Sequence, residues 1–238
     1  MFWTVWAACV TDPLIVLATI AFATVSVALS FFDPTGRRQA RVAVAWSRTL
    51  LGVSGVRVRV EGLDNIAPGG VYVFASNHVS YMDTPVVLAN VPVQFRFLAK
   101  RGLFTIPFLG THLQRAGHIP VFRGNARQNL KTLGMAAETV QTRGISLLVF
   151  PEGGRTHDGV LGHFNEGAAY IAIKAGVPLV PLTLIGTRAV LPFGSGFPRP
   201  GRVRMIVGKP ISTEGLTLKC RDRVTEEVRS QIASALPS

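Results

Sequence analysis

The sequence predicts an α/β fold with a mainly parallel central sheet flanked by helices, and three observations carry that expectation. VYVFA at 71–75 and ISLLVF at 145–150 are short continuous apolar runs, as in strands covered on both faces. Segments with helical apolar spacing, notably 126–142 and 166–176, alternate with such runs. Strands separated by helices pair in parallel, because each crossover returns the chain to the same edge of the sheet.

The first element is the most apolar. Pro13 to Phe32 contains no ionisable side chain, and TDPLIVLATIAFATVSVALSFF supplies the roughly 20 apolar residues of a membrane-spanning helix. It is too long for a typical signal-peptide core and lacks a basic residue before it, so a retained N-terminal hydrophobic membrane helix is expected, either spanning or dipping in and returning with the next helix. A buried core helix is the plainer alternative. Gln39 to Leu51 places Val42, Trp46, Thr49 and Leu50 near one face with arginines elsewhere, which suits an interfacial amphipathic helix. Arg37, Arg38, Arg41 and Arg48 put the remaining chain on the cytoplasmic side of a cell membrane.

VRVRVEG at 56–62 alternates with period two and reads as a half-exposed edge strand. A helix starts near Asp83, which can cap it, with Pro85 in its first turn. FRFLA at 95–99 is the next strand, followed by a broken stretch, KRGLFTIPFLG. The helix at 126–142 places Leu130, Leu133, Ala137 and Val140 on its apolar stripe. Gly176 closes the helix at 166–176, VPLVPLTLIG and VRMIVG are the last strands, and 222–235 is a terminal amphipathic helix. The expected division is a helical membrane-anchoring segment, 1–54, and an α/β domain, 55–238.

Arg and Lys outnumber Asp and Glu by 25 to 13, a formal charge of +12 that points to a polyanionic partner. The basic residues are scattered, without the aromatic-interleaved stripe of a nucleic-acid surface, so an anionic bilayer is the expected partner and nucleic acid is not. Two cysteines, Cys9 and Cys220, make no disulfide framework. His157 and His163 lack companions at metal-ligand spacing, so no metal is expected, and His112 and His118 look like packing residues.

In a parallel sheet, ligands bind beyond the carboxyl ends of the strands. Three polar stretches fall there: SNHVSYMD, FRGN and PEGGR. In the first, Asp83 can accept the Nδ1 proton of His78 and leave Nε2 free as a general base. The same spacing also suits Asp83 as a simple helix cap and His78 as a loop residue. No G-x-S-x-G nucleophile pattern is present and the cysteines lie elsewhere, so the proton would come from a substrate alcohol, with direct transfer and no covalent intermediate. Arg155 in FPEGGRT and Arg123 in GHIPVFR place planar cations at strand exits, where they suit phosphate; Lys100 is a weaker candidate.

NHVSYMD, GHIPVFR, FPEGGRT and GVPLVPL closely resemble, in order and approximate spacing, the four blocks of the glycerolipid acyltransferases, and within them those that acylate 1-acyl-glycerol 3-phosphate (lysophosphatidate). The likeness runs from about Arg57 to Ile211 and includes FLAKRGLFTIPFLG and GKPI. It implies that His78 is the general base and Asp83 its orienting carboxylate. Arg123, Glu152, Gly153 and Arg155 would hold the acceptor's glycerol phosphate, Pro178 would shape the acyl site, and Asn77 and Lys100 are supporting candidates. Glu152 can also serve by accepting backbone N–H groups within its loop, and Pro178 by limiting a strand. Gly154 stands where the family commonly has Thr, and Asn165 where a basic residue is common. The resemblance implies no cofactor beyond an acyl thioester, acyl-CoA or acyl carrier protein, as co-substrate. Acylation of another lysolipid and non-enzymatic binding of anionic lipid are the alternatives.

Overall fold

The computed structural model describes residues 2–122 and 126–237. Helices α1 (Phe2–Trp6) and α2 (Asp12–Ser30) are joined by a π-helical turn at Ala7–Thr11. Together they form one 29-residue helix, Phe2–Ser30, of mean hydropathy 2.1 over its most apolar stretch, long and apolar enough to cross a membrane. Asp33 ends the turn after it by accepting the N–H groups of Arg38 (2.6 Å) and Gln39 (3.2 Å) and the hydroxyl of Thr35 (2.9 Å). These bonds outweigh the upward push of its burial and hold the Asp33 carboxyl below its ordinary range. Gly36 is required in this turn, because its φ is 67° and the Arg96 guanidinium occupies the place a Cβ would take.

Helix α3 (Arg37–Val53) then returns antiparallel to α2, so the N-terminal helices form a hairpin. The expected amphipathic helix is present, with its arginines exposed and its other side packed on the protein. α3 is packed between α2 and α4 (Asp83–Asn90), with Gln39, Ser47, Leu50 and Leu51 buried. Polar groups can be buried there because α2 supplies hydroxyls: Gln39 donates to Ser26 (3.4 Å) and the Trp46 indole N–H to Thr19 (3.1 Å).

The sheet has seven strands: β1 (Val56–Glu61), β2 (Val73–Ser76), β3 (Phe95–Lys100), β4 (Ile119–Val121), β5 (Ser146–Val149), β6 (Leu179–Ile185) and β7 (Gly201–Val207). Their order is β1-β7-β6-β2-β5-β3-β4. The five from β6 to β4 are parallel, β7 runs antiparallel to β6, and β1 forms the outer edge parallel to β7. Ala75 lies level with Val149 and Pro181, which aligns the exits of β2 and β5 at one edge. Alternate residues feed two layers. Phe74, Phe97, Leu148 and Leu182 pack toward α3 and α4. Val73, Ala75, Leu147 and Val149 pack toward α6 (Ala126–Arg143), α7 (Gly167–Ala175) and α9 (Arg221–Ala235).

Three local expectations change. KRGLFTIPFLG folds as a 3-10 turn at Arg101–Thr105 followed by α5 (Leu109–Arg115), and a short α8 (Thr187–Val190) follows β6. Leu130 is 56% exposed, since α6 turns Leu133, Ala136, Ala137 and Val140 to the core.

α5 runs beside α2 and joins the hairpin to the domain. Ser26 Oγ lies 2.7 Å from Nδ1 of His112, and Arg115 bonds Ser30 and covers the Phe31 ring at 3.9 Å. His118 Nδ1 accepts the N–H of Phe97 at 2.9 Å, so that ring is needed neutral, as a hydrogen-bond acceptor. Burial, aided by the charge of Arg96, lowers His112 to about 4, and burial with His112 and Arg96 holds His118 well below its usual range. Between pH 6.5 and about 4 the unfolded chain binds protons that the folded His112 refuses. The stabilisation is therefore complete above pH 6.5 and is lost as pH falls through that window, by up to about 3 kcal/mol for His112 alone. The denaturation midpoint of the detergent-solubilised protein is expected to fall between pH 7.5 and pH 4.5, with a shallower fall in His112→Gln.

Candidate active site

β2 is fully buried and ends at Ser76, and the next residue, Asn77, is buried as well. The Asn77 amide spans to β6, donating to the Leu184 carbonyl (2.9 Å) and accepting the Leu184 N–H (2.8 Å). This pair fixes where the chain leaves the sheet, and His78 is the next residue. Its Nδ1 lies 2.8 Å from Oδ2 of Asp83, which is wholly buried. The same oxygen accepts the N–H groups of Val79 and Ser80, each at 2.8 Å. Asp83 is the first residue of α4, yet its side chain makes no cap on that helix. It turns back to the 78–80 loop instead, which corrects the capping alternative. An ionised carboxylate can only accept, so His78 carries its proton on Nδ1 and presents the Nε2 lone pair outward.

Two further contacts hold the imidazole. Its ring stacks on Phe150 at 3.9 Å between centroids and 16° between planes. The His78 N–H donates to Oε2 of Glu152 at 2.7 Å, and the other Glu152 oxygen accepts the N–H of Gly162 at 2.9 Å. Burial raises the Glu152 carboxyl, against the lowering effect of those two N–H groups. The His78 carbonyl in turn accepts the N–H of Thr156 at 3.0 Å. The loops after β2 and β5 are thus tied to each other at His78.

Between those ties lies the glycine turn. Gly153 is exposed at φ 72°, a conformation that glycine adopts without strain. Asn165 closes the loop by donating both its backbone and side-chain N–H groups to the Pro151 carbonyl, at 2.9 and 2.8 Å. The Arg155 guanidinium lies 3.5 Å over the Tyr81 ring and 4.8 Å from the Phe193 ring, with no ion pair among the described residues. Two aromatic faces hold its plane, and its N–H fork is left for an anion.

His78, Asp83, Glu152, Gly153 and Arg155 therefore meet at one edge of the sheet. Lys100 ends β3 at the same edge, exposed and two strands away. Pro178 does not join them. It precedes β6 at the opposite edge, where its carbonyl accepts the Val73 N–H at 3.0 Å, and His78 lies five residues further along β2, about 16 Å away along an extended strand. Arg123 lies outside the described residues. Sequence reasoning missed Phe150, Tyr81 and Phe193. The first two were within reach, as Phe150 closes an apolar strand run and Tyr81 sits inside the His78 motif, but nothing marks Phe193.

Residues 57–185 match the family model described as Acyltransferase. The chain belongs to that family. The chain is 36% identical over 182 residues to a chloroplastic 1-acyl-sn-glycerol-3-phosphate acyltransferase of Arabidopsis thaliana, covering 76% of this chain and 49% of that one. It is 33% identical over 164 residues to the mouse 1-acyl-sn-glycerol-3-phosphate acyltransferase alpha, covering 68% and 58% respectively. The chain spans about half the length of the plant relatives it matches. The crystal structure of the 1-acyl-sn-glycerophosphate acyltransferase of Thermotoga maritima superposes with a TM-score of 0.74 at 25% identity, covering 93% of this chain and 94% of that one.

Proposed function

We propose that the protein transfers a fatty acyl group from an acyl thioester to the free hydroxyl of 1-acyl-glycerol 3-phosphate, forming phosphatidic acid. The observation that carries this reading is the His78–Asp83 pair, held at 2.8 Å by a carboxylate that two backbone N–H groups also fix. His78 Nε2 takes the acceptor's hydroxyl proton as that oxygen attacks the thioester carbonyl. The new C–O bond forms, the C–S bond breaks, and the proton passes from imidazolium to the departing thiolate. Asp83 stabilises the imidazolium between those steps. Either acyl-CoA or acyl carrier protein supplies the same thioester.

The acceptor's phosphate is read by Arg155, whose guanidinium is stacked and carries no carboxylate partner among the described residues. Arg123 is a second phosphate candidate and Lys100 a third. Gly153 lets the turn approach the acceptor closely. Glu152 acts by positioning His78: both its oxygens are engaged by backbone N–H groups, and a carboxylate would repel a phosphate. The Phe2–Ser30 helix holds the enzyme to the membrane that contains its acceptor, and Arg37, Arg38, Arg41 and Arg48 keep the catalytic domain on the cytoplasmic side against anionic lipid.

Transfer from acyl-CoA and from acyl carrier protein, measured with the detergent-solubilised protein on a panel of lysolipids, tests this. Lysophosphatidate is expected to be acylated and lysophosphatidylcholine not, because the phosphomonoester offers a third free oxygen and a second negative charge, and the choline ester adds a cation beside Arg155. In Arg155→Lys the KM for lysophosphatidate is expected to rise about tenfold with kcat nearly unchanged, as charge is kept while fork and stacking are lost. Turnover confined to another lysolipid would move the assignment to that acceptor.

A further inference from the structure

The sequence KRGLFTIPFLG has no part in the chemistry above, and its fold leaves apolar side chains in water. Leu103 is 37% exposed, Ile106 44% and Phe108 52%, in a segment that turns outward after β3 and returns as α5. The turn is tightly built. Gly110 lies against the Phe104 carbonyl where any Cβ would collide, and Phe108 is the only described non-glycine residue at positive φ, 62°. A closed turn that displays three large apolar side chains suits an apolar environment better than water.

The neighbouring helix supplies that environment. Ser26 meets His112 and Ser30 meets Arg115, so α5 runs beside α2 in the same direction. Following both helices back from the Ser26–His112 contact puts Phe108, the residue before α5, level with about Phe22, ahead of which lie the earlier turns of α2. Phe22 is eight residues from Ser30, or about 12 Å along the helix. On those preceding turns α2 exposes Val16, Leu17 and Ile20. The exposed turn thus lies beside an apolar stretch of the helix, about 12 Å short of its Ser30 end. Lys100 and Arg101, both exposed, lead into it where a headgroup phosphate would stand.

We infer that residues 103–108 form a second lipid-inserting element, entering the bilayer beside the Phe2–Ser30 helix at the level of the headgroup–acyl boundary. The turn follows β3 at the same edge of the sheet at which His78 follows β2, so its insertion brings the mouth of the candidate active site to the membrane surface. The inference rests on the reading of Phe2–Ser30 as a lipid-embedded helix and is independent of the acyl acceptor.

The test uses the full chain with Cys9→Ser and Cys220→Ser, carrying Ile106→Cys labelled with an environment-sensitive fluorophore. It is reconstituted in phosphatidylcholine–phosphatidylglycerol vesicles with a doxyl quencher near the glycerol or near the methyl end of the acyl chain. Blue-shifted emission is expected, quenched more strongly by the shallow doxyl than by the deep one. Aqueous emission with no quenching, while a probe at Ile20→Cys is quenched, would overturn the inference. Failure to quench either probe would overturn it together with the lipid-embedded helix. In parallel, Leu103→Asp with Phe108→Asp is expected to lower transfer to vesicle-borne lysophosphatidate about tenfold or more, and to leave transfer to a short-chain, water-dispersed acceptor within about twofold. Equal loss on both acceptors would show a structural defect of the turn and overturn the inference.

Discussion

His78→Ala is expected to lower the rate of acyl transfer by about 10²–10⁴-fold, the range for removing a positioned general base. The fold should survive. The His78 side chain makes one hydrogen bond and one ring contact, and without it Oδ2 of Asp83 still accepts the N–H groups of Val79 and Ser80. Initial rates set beside denaturation midpoints separate the two effects. An unchanged midpoint with a collapsed kcat assigns the loss to chemistry. A rate within a few-fold of the parent protein would remove His78 from the proton transfer.

Asp83→Asn is expected to be nearly as damaging, and for a different reason. The amide oxygen can replace Oδ2 as acceptor, but it carries no charge to stabilise the imidazolium, so kcat falls by about 10²–10⁴-fold with little change in KM. The substitution also places an NH₂ group where Oδ1 is buried without a partner among the described residues. Burying that donor unsatisfied costs about 1–3 kcal/mol. A loss of stability is therefore expected together with the loss of rate, whereas His78→Ala shows the second alone. An Asp83→Asn protein as active as its parent would leave the carboxylate a purely structural brace for the 78–80 loop.

Much of this architecture was legible in the sequence, because its parallel strands are short, apolar and separated by helices. VYVFA covers β2 up to Ala75 and ISLLVF contains β5; the two strands lie side by side, and the polar motifs after both runs meet at their common edge. The five-residue spacing of His78 and Asp83 marked their contact, though not its form. Whether the carboxylate caps α4 or turns back depends on a loop path that spacing does not encode. Other features depend on tertiary partners. Nothing local reveals the packing of α3 against α2, where Gln39 and Ser47 are buried and the Ser26 hydroxyl accepts the Gln39 amide. The register of β6 against β2, set by long-range pairing, removes Pro178 from the edge that holds His78. Phe193 reaches Arg155 from a separate loop, and no motif connects the two.

The most direct measurement of the central claim is a rapid-quench experiment with the full chain, acyl-labelled acyl-CoA or acyl carrier protein, and lysophosphatidate in mixed micelles, resolved into lipid and protein fractions under denaturing conditions. The account predicts label passing from the thioester to phosphatidic acid with none on the protein at any time, and no phosphatidic acid from His78→Ala beyond the residual rate. Label accumulating on the protein before the lipid, or transfer that persists undiminished without His78, would contradict it.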